Sequence, residues 1–274
     1  MTTIKRMNIV ITGSTRGLGF ATAKRLLSEG HSVTISSESG ADVTRALEEL
    51  EKLGLQARGT RCDISREDDV RELVRFVRDG GLEIDGWINN AAMPGVTGRT
   101  DQLPTATLTQ LVDVNIKGTC LCSVHALRMF QAQGHGRLLN VVGRGEKSPV
   151  PFANAYGPSK TWIRSFTRAA AREVKGSNIA VATFQPGLVH TKMTLGIRVV
   201  RGHEHRVKYL GALQRFLGND PEIPGDAMAA IITGDIKNGK AYRAPFFGPT
   251  LKRLISPPDK FDITQTVIEP ETDT

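Results

Sequence analysis

Tyr156 and Lys160 stand four residues apart, which on a helix puts them on one face, a single turn from each other. That pair can handle a proton. A phenol with an ordinary pKa near ~10 is a poor acid at neutral pH, but a neighbouring ammonium favours the phenolate and pulls the value down. Tyr156 could then protonate the alkoxide that forms when hydride reaches a carbonyl carbon, with Lys160 tuning it. The hydride needs a carrier, and the other end of the chain offers a place for one. Thr12-Gly13-Ser14-Thr15-Arg16-Gly17-Leu18-Gly19 joins a strand-like run to a helix-like run. Gly13 permits a tight turn, Gly17 a close approach of backbone to a pyrophosphate, and Gly19 close helix–sheet packing. A helix starting there directs unpaired N–H groups and a partial positive charge at the phosphates.

Apolar strand-like runs at 8–11, 32–36, up to Cys62, 87–89, 138–142 and 179–184 alternate with helical patterns. The helices fall at about 17–29, 41–53, 67–77, a long segment containing Asn115, and 155–174, with Val70, Leu73, Val74 and Val77 on one stripe. This alternation predicts right-handed βαβ crossovers: an α/β, Rossmann-type doubly wound parallel sheet, three-layer αβα, in a single domain over 1–255. Two stretches break the rhythm. Between about 192 and 224 the sheet pattern stops, and Arg198, Arg201, Arg206, Lys208 and Arg215 gather against the lone acid Glu204 before Asp220. Val207, Leu210, Leu213 and Leu217 form an amphipathic stripe there. Ligands of such folds bind beyond the carboxyl ends of the strands, so this insertion is a candidate substrate lid; the alternative is a surface helix packing its stripe. From Ser256 onward an acidic, proline-containing tail (Pro257, Pro258, Asp259, Glu269, Pro270, Glu271) is expected to be extended or poorly ordered.

Across 274 residues, 39% hydrophobic and 23% charged content describes a soluble globule with one sizeable core. No apolar run approaches the roughly 18–20 residues of a membrane span. Without a signal-peptide h-region after Met1, the expected location is the cytoplasm, or an organelle stroma or matrix after loss of a transit peptide. Cys62, Cys120 and Cys122 are an odd number, which suits reduced thiols. No metal site is expected: Cys120 and Cys122 point to different helix faces, and His203 and His205 lack acidic or thiol partners at ligand spacing. The net charge is +8, and residues 256–274 carry five acids against one lysine, leaving +12 on the first 255. Basic residues are scattered and accompany no nucleic-acid motif, so most of this charge reads as solvated surface and nucleic acid is not an expected partner; the positive body would attract anionic small molecules, a phosphorylated cofactor among them.

The cofactor follows from the end of the second strand. A site for NAD usually has an acid there to grip the ribose 2′-hydroxyl. Here the position falls at Ser37, whose neutral hydroxyl does not repel a 2′-phosphate, and Arg16 can pair with that phosphate. Glu38 argues the other way unless its side chain points to solvent. NADPH/NADP is therefore expected ahead of NAD. Asp63, with Ile64 past the third strand, is placed to accept a hydrogen bond from the adenine amine, or else to cap the next helix.

Taken together, these motifs resemble the short-chain dehydrogenase/reductase superfamily over about residues 7–245. The loop from Thr12 to Gly19 is similar to its cofactor loop, and Asn89-Asn90-Ala91-Ala92 to its Asn-Asn-Ala-Gly strand end. Asn115 resembles the helix asparagine that holds a relay water, and Tyr156-Gly157-Pro158-Ser159-Lys160 the Tyr-x-x-x-Lys motif. Pro186-Gly187-Leu188-Val189-His190-Thr191 resembles the segment that fixes the nicotinamide carboxamide through backbone and threonine. The resemblance implies Tyr156 as proton donor, Lys160 tuning it and holding the ribose, and a homodimer or homotetramer built on the two long helices.

Gly143 departs from the pattern. The family has a serine thirteen residues before the tyrosine to bind the substrate carbonyl, and losing one such donor typically costs ~10²–10³ in rate. Three explanations compete: a water stands in; the space admits a bulky substrate; or the protein binds cofactor without efficient hydride transfer, as a regulatory scaffold or a hydride-neutral isomerase. Asn140-Val-Val-Gly143-Arg-Gly145, with Pro149, Pro151 and Ala155-Tyr156-Gly157, is similar to the chlorophyll(ide) b reductase branch, which also has glycine here. Asp68-Asp69-Val70-Arg71, Trp87–Ala91 and the ending around 242–254 resemble it too. That similarity favours the second explanation and a large, flat, partly apolar aldehyde or ketone. His190 faces either the substrate or the protein interior. Trp162 and Phe166 suit the core or a subunit interface.

Overall fold

The computed structural model describes residues 5–79, 81, 83–245 and 263–271. Seven parallel strands form the main sheet: β1 (Asn8–Ile11), β2 (Ser32–Ser37), β3 (Arg58–Arg61), β4 (Gly86–Asn89), β6 (His135–Val141), β7 (Asn178–Gln185) and β9 (Ala241–Arg243). Their order is β3-β2-β1-β4-β6-β7-β9, the doubly wound arrangement expected from the alternation. Successive side chains of one strand face opposite layers. Ile9 and Ile11 join Leu26 of α1 (Gly17–Ser28), Leu50 of α2 (Gly40–Lys52) and Met228 and Ile232 of α9 (Glu222–Thr233). Val10 instead joins Leu73 of α3 (Glu67–Arg78), Phe130 of α5 (Thr119–Gln133) and Ala170 of α6 (Tyr156–Glu173). The two cores make three layers in a single domain. Charge supports the helices: α3 opens on Glu67, Asp68 and Asp69 and closes with Arg75 and Arg78, matching its dipole at both ends.

Three features depart from expectation. The long helix containing Asn115 is α4 (Thr105–Leu111), a π-helical turn at Val112–Gly118, and then α5. Strand pairing does not stop after residue 192. Beyond the four-residue α7 (Lys192–Leu195), β8 (Gly196–Val200) pairs in parallel with β5 (Val96–Thr97) and with β10 (Thr264–Ile268). Ile-Arg-Val-Val in β8 has the β-branched composition of a strand, but its partners lie about 70 to 100 residues away in sequence. Lastly, α8 (Leu210–Leu217) does not bury its leucines: Leu213 and Leu217 are 44% and 43% exposed, while Gln214 is fully buried. Its Nε2 donates to the Thr194 carbonyl at 3.4 Å, so α8 is tied down by a polar contact.

The tail thus contributes a strand where it is described; Pro257, Pro258, Asp259 and the 246–254 ending lie outside the described residues. Beyond β10, Glu269 pairs with Arg201 and the Glu271 carboxylate accepts from the backbone N–H and hydroxyl of Thr105, where α4 begins. The tail therefore clasps the insertion. A chain ending at residue 262 is expected to be cut within 196–210 at least tenfold faster under limited proteolysis, with the helical circular dichroism of the main sheet's layers retained; an unchanged cleavage rate would count against the clasp.

Candidate active site

The glycine loop is held from three sides. Gly13 adopts φ +61, and a Cβ there would lie 2.6 Å from Ala91 Cα. Asn90 Nδ2 donates to the carbonyls of Thr12 and Gly13 at 3.0 and 2.7 Å, and Thr12 Oγ1 accepts from the backbone N–H groups of Asn90 and Ala91, both at 3.2 Å. Ser14 Oγ donates to Ile11 O at 2.6 Å and accepts from Ser36 N at 3.0 Å. Leu18 is buried and anchors α1, and Gly19 packs against Asn90 and the loop. Among the described residues the N–H groups of Thr15, Arg16 and Gly17 have no acceptor. Free amides at a helix N-terminus form an anion cradle. Gly17, at φ +57, faces the Thr191 methyl, which brings the second cofactor segment against the loop. These residues fit a dinucleotide pyrophosphate.

The adenosine end carries more charge than the strand-end position implied. Ser37 Oγ donates to Glu38 Oε2 at 3.0 Å, so Glu38 turns back over the site's edge. Arg16 Nη1 lies 3.1 Å from Asp42 Oδ2, and Arg45 pairs with the other oxygen of the same carboxylate. Asp42 was not singled out in the sequence because it sits inside α2, beyond the strand end where such acids are sought. Asp63 Oδ1 accepts from the N–H and hydroxyl of Ser65, at 3.0 and 2.7 Å, closing a turn ahead of α3; it does not cap that helix, whose N-cap is Arg66 and has no side-chain cap bond. Ile64 is buried against Gly118 in the π turn.

At the other end, Pro186 and Gly187 leave β7, with Gly187 at φ +78. Val189 is buried and bridges to Asn219. Thr191 caps α7 in a reciprocal arrangement with Thr194. His190 turns inward: Nδ1 is 3.1 Å from Asp220 Oδ1 and Nε2 is 2.6 Å from the Gln214 carbonyl. It anchors α8 to the cofactor segment.

Tyr156 is the first residue of α6, and Lys160 is one turn on, 2% exposed. The Lys160 amine donates to the Val141 carbonyl at 3.3 Å and lies 5.4 Å from the centre of the Tyr156 ring. Burial dominates both groups. It pushes the Tyr156 phenol up to about 12 and pulls the Lys160 ammonium down to about 8. The expected lowering of the phenol by the ammonium is absent here, because desolvation penalises phenolate more than a cation beyond hydrogen-bond reach favours it.

Gly143 receives a different explanation from those the sequence suggested. A Cβ at 143 would lie 2.7 Å from the Tyr156 hydroxyl and 3.5 Å from Lys160 Cγ. The space expected for a bulky substrate is taken by the tyrosine's own oxygen, seated on the end of β6. Asn115 is fully buried, and its side chain is already engaged: Oδ1 accepts from Met93 N at 2.7 Å, and Nδ2 donates to Met93 O at 3.0 Å and Ser159 Oγ at 3.3 Å. Ser159 Oγ in turn donates to the Tyr156 carbonyl at 2.7 Å. Asn115 thus positions the 91–93 loop and the first turn of α6 instead of offering its amide to a water.

Several supporting residues, some quoted in the sequence only as parts of motifs, take on a structural role here. Asn89 and Asn140 face each other across β4 and β6, with Asn89 Nδ2 donating to Asn140 Oδ1 at 2.8 Å and to Ser123 Oγ at 2.9 Å. Trp87 Nε1 donates to Asn89 Oδ1, and Asn140 Nδ2 to Thr167 Oγ1 on α6. Paired asparagines in otherwise apolar strands were the available signal. Phe152 holds a non-glycine φ of +66, under the Arg206 guanidinium at 3.3 Å and beside His203. It joins the loop before Tyr156 to the insertion.

A dinucleotide cradle and a tyrosine–lysine pair, half-buried and buried, beyond the carboxyl ends of the central strands of a doubly wound parallel sheet define a nicotinamide-cofactor oxidoreductase as a class. A family model described as short chain dehydrogenase matches residues 7–199, and the chain belongs to that family. Chlorophyll(ide) b reductase NOL of Arabidopsis thaliana is 34% identical over 195 residues, 69% of this chain and 56% of that protein. Dehydrogenase/reductase SDR family member 4 of Bos taurus is 33% identical over 187 residues, 68% of this chain and 66% of that protein. A solved actinorhodin polyketide ketoreductase with NADPH aligns at a TM-score of 0.77 with 26% identity, covering 89% of this chain and 97% of that one. The chain spans about half the length of the chloroplast reductases it matches. Among the described residues no helix is long and apolar enough to cross a membrane.

Two outcomes follow from the packing and the burial. Gly143 lies outside the left-handed region, where alanine ordinarily stabilises by ~0.4–1 kcal/mol. Here the new Cβ must displace the Tyr156 hydroxyl, so Gly143→Ala is expected to lower Tm by about 3–6 °C; a raised Tm would show the hydroxyl has room. Lys160 titrates at about 8 in the fold, below its ordinary 10.5, so the unfolded chain binds more protons between those values and wild-type stability rises with pH across that window. Below pH 8 the full penalty of burying the ammonium applies. Lys160→Met is therefore expected to be more stable than wild type at pH 7, on the order of 1–3 kcal/mol, with the gap closing by pH 10.5. Thermal unfolding at both pH values checks this, and a gap independent of pH would contradict it.

Proposed function

We propose that the protein is an NADP(H)-dependent oxidoreductase that reduces the carbonyl of a bulky aromatic or polycyclic aldehyde or ketone to an alcohol. The observation that carries the carbonyl-reduction reading is the Tyr156 hydroxyl packed on Gly143, with the Lys160 amine over the ring; a bulky substrate takes its room elsewhere than beside Gly143. A bound dihydronicotinamide supplies the hydride. The free amides of Thr15, Arg16 and Gly17 would hold its phosphates, and Gly187 to Thr191 would flank its nicotinamide end. Tyr156, at about 12, keeps its proton at neutral pH and yields it only as charge develops on the substrate oxygen. Lys160, at about 8, is mostly ammonium at pH 7, and supplies the counter-charge for the phenolate that forms. Gly143 brings no side-chain donor, so the transition-state hydrogen bond falls to Tyr156, whose position the strand end fixes.

Arg16 and Arg45, both held at the adenosine end by Asp42, are cations available to a 2′-phosphate there, which supports NADP over NAD although Glu38 balances the local charge. The substrate class rests on the names of the chloroplast relatives and on the apolar outer face of α8, where Leu213, Phe216 and Leu217 are exposed. A homodimer or homotetramer is supported by Trp162 and Phe166, stacked at 5.1 Å on α6.

The test is NADPH oxidation with a panel of polycyclic aldehydes. Tyr156→Phe is expected to lose about 10²-fold or more in kcat with NADPH affinity within a few-fold, and NADPH should outperform NADH. Unchanged turnover in the variant would reject the mechanism, and tight NADPH binding without turnover of any aldehyde or ketone would favour a cofactor-binding regulatory protein.

A further inference from the structure

We propose that a cavity of about 250 Å³ between α6, β7 and the start of β9 binds a small dianion of the phosphate type. Arg164 and Arg168 from α6 and Lys240 from the turn before β9 line it, together with Thr183 and the backbone of Gly239 and Ala241. The lining contains no acid. Among the described residues none of the three cations has a carboxylate within ion-pair distance, although Arg243, close by on β9, reaches Glu146 at 3.7 Å. Three like charges around one small cavity raise the local potential and repel one another, and a bound anion offsets that cost.

One polar atom of the lining is left without a partner: Arg164 Nε is buried and makes no hydrogen bond. The buried Thr183 also belongs to the lining. A desolvated guanidinium N–H is costly to leave unmade, and a phosphate oxygen satisfies it with a charge-assisted bond in the geometry arginine favours. Size selects the ligand further. The cavity equals about eight water volumes of ~30 Å³ each, enough for a phosphate group or a small phosphorylated metabolite and too little for a dinucleotide.

The site is separate from the cofactor cradle. Arg164 lies eight residues past Tyr156, ~12 Å along the helix axis, on the stripe that runs Tyr156, Lys160, Arg164, Arg168. Thr167, also in the lining, accepts the Asn140 amide at 2.9 Å. An anion here would therefore brace the helix that carries the proton-handling pair.

Inorganic phosphate titrated into the full chain at constant ionic strength, with NADP saturating the cradle, tests the proposal by calorimetry and by Trp162 fluorescence. Saturable binding is expected, weakened about tenfold by Arg164→Gln and by Lys240→Gln and unchanged by Arg201→Gln, which alters an arginine paired elsewhere. Far-UV circular dichroism of each variant confirms that the fold is retained. Three results would overturn the assignment. The first is no saturable binding up to about 20 mM. The second is binding that neither cavity variant weakens, which would place the ion elsewhere. The third is a change of sedimentation state in the variants without anion binding, which would mean an acidic side chain of a second copy fills the cavity.

Discussion

The arrangement depends on one close approach, the Tyr156 hydroxyl against the backbone of Gly143. A side chain of any size at 143 would push that oxygen away, so the glycine fixes where the proton donor sits. The cost is burial. Desolvation drives each group toward its neutral form, yet the amine, at about 8, is still mostly ammonium at pH 7, while the phenol, at about 12, keeps its proton.

Keeping two desolvated groups in register requires a rigid mount. The buried amides of Asn89 and Asn140 link β4, β6, α5 and α6 through Ser123 and Thr167. Asn115 locks the π turn to Met93 and, through Ser159, to the first turn of α6. On the cofactor side, Asn90 ties the glycine loop to the end of β4. Buried polar networks of this kind are stabilising only when nearly every member is satisfied, and these are. Their common effect is to set the spacing between the phosphate cradle and Tyr156.

Away from the chemistry, the insertion and the tail behave as one unit. β8 carries a parallel neighbour on each side, and the acids at the chain's end neutralise Arg201 and hold the start of α4. The charge asymmetry visible in the sequence thus has a local use. Phe152, strained and covered by Arg206, transmits the insertion's position to the loop just ahead of Tyr156. The loop ahead of Tyr156 is therefore shaped partly by residues more than a hundred positions further along the chain.

Alternation of strand and helix, the glycine loop and the four-residue spacing of Tyr156 and Lys160 were legible in the sequence because each is local: periods of two and 3.6 and a turn's need for glycine act within one or two elements. The same locality exposed Gly143 as a departure. What that departure does was not legible, since the neighbour that decides it lies across a loop on another element. Likewise, Asn89 and Asn140 gain meaning only when β4 and β6 pair, β10 becomes a strand only when β8 offers an edge, and Asp42 meets Arg16 only when α2 swings past the loop. The sequence by itself determined the doubly wound sheet and the four-residue spacing that puts Tyr156 and Lys160 side by side. Tertiary structure alone decided burial, and burial sets the ionisation of both groups because desolvation depends on everything packed around them.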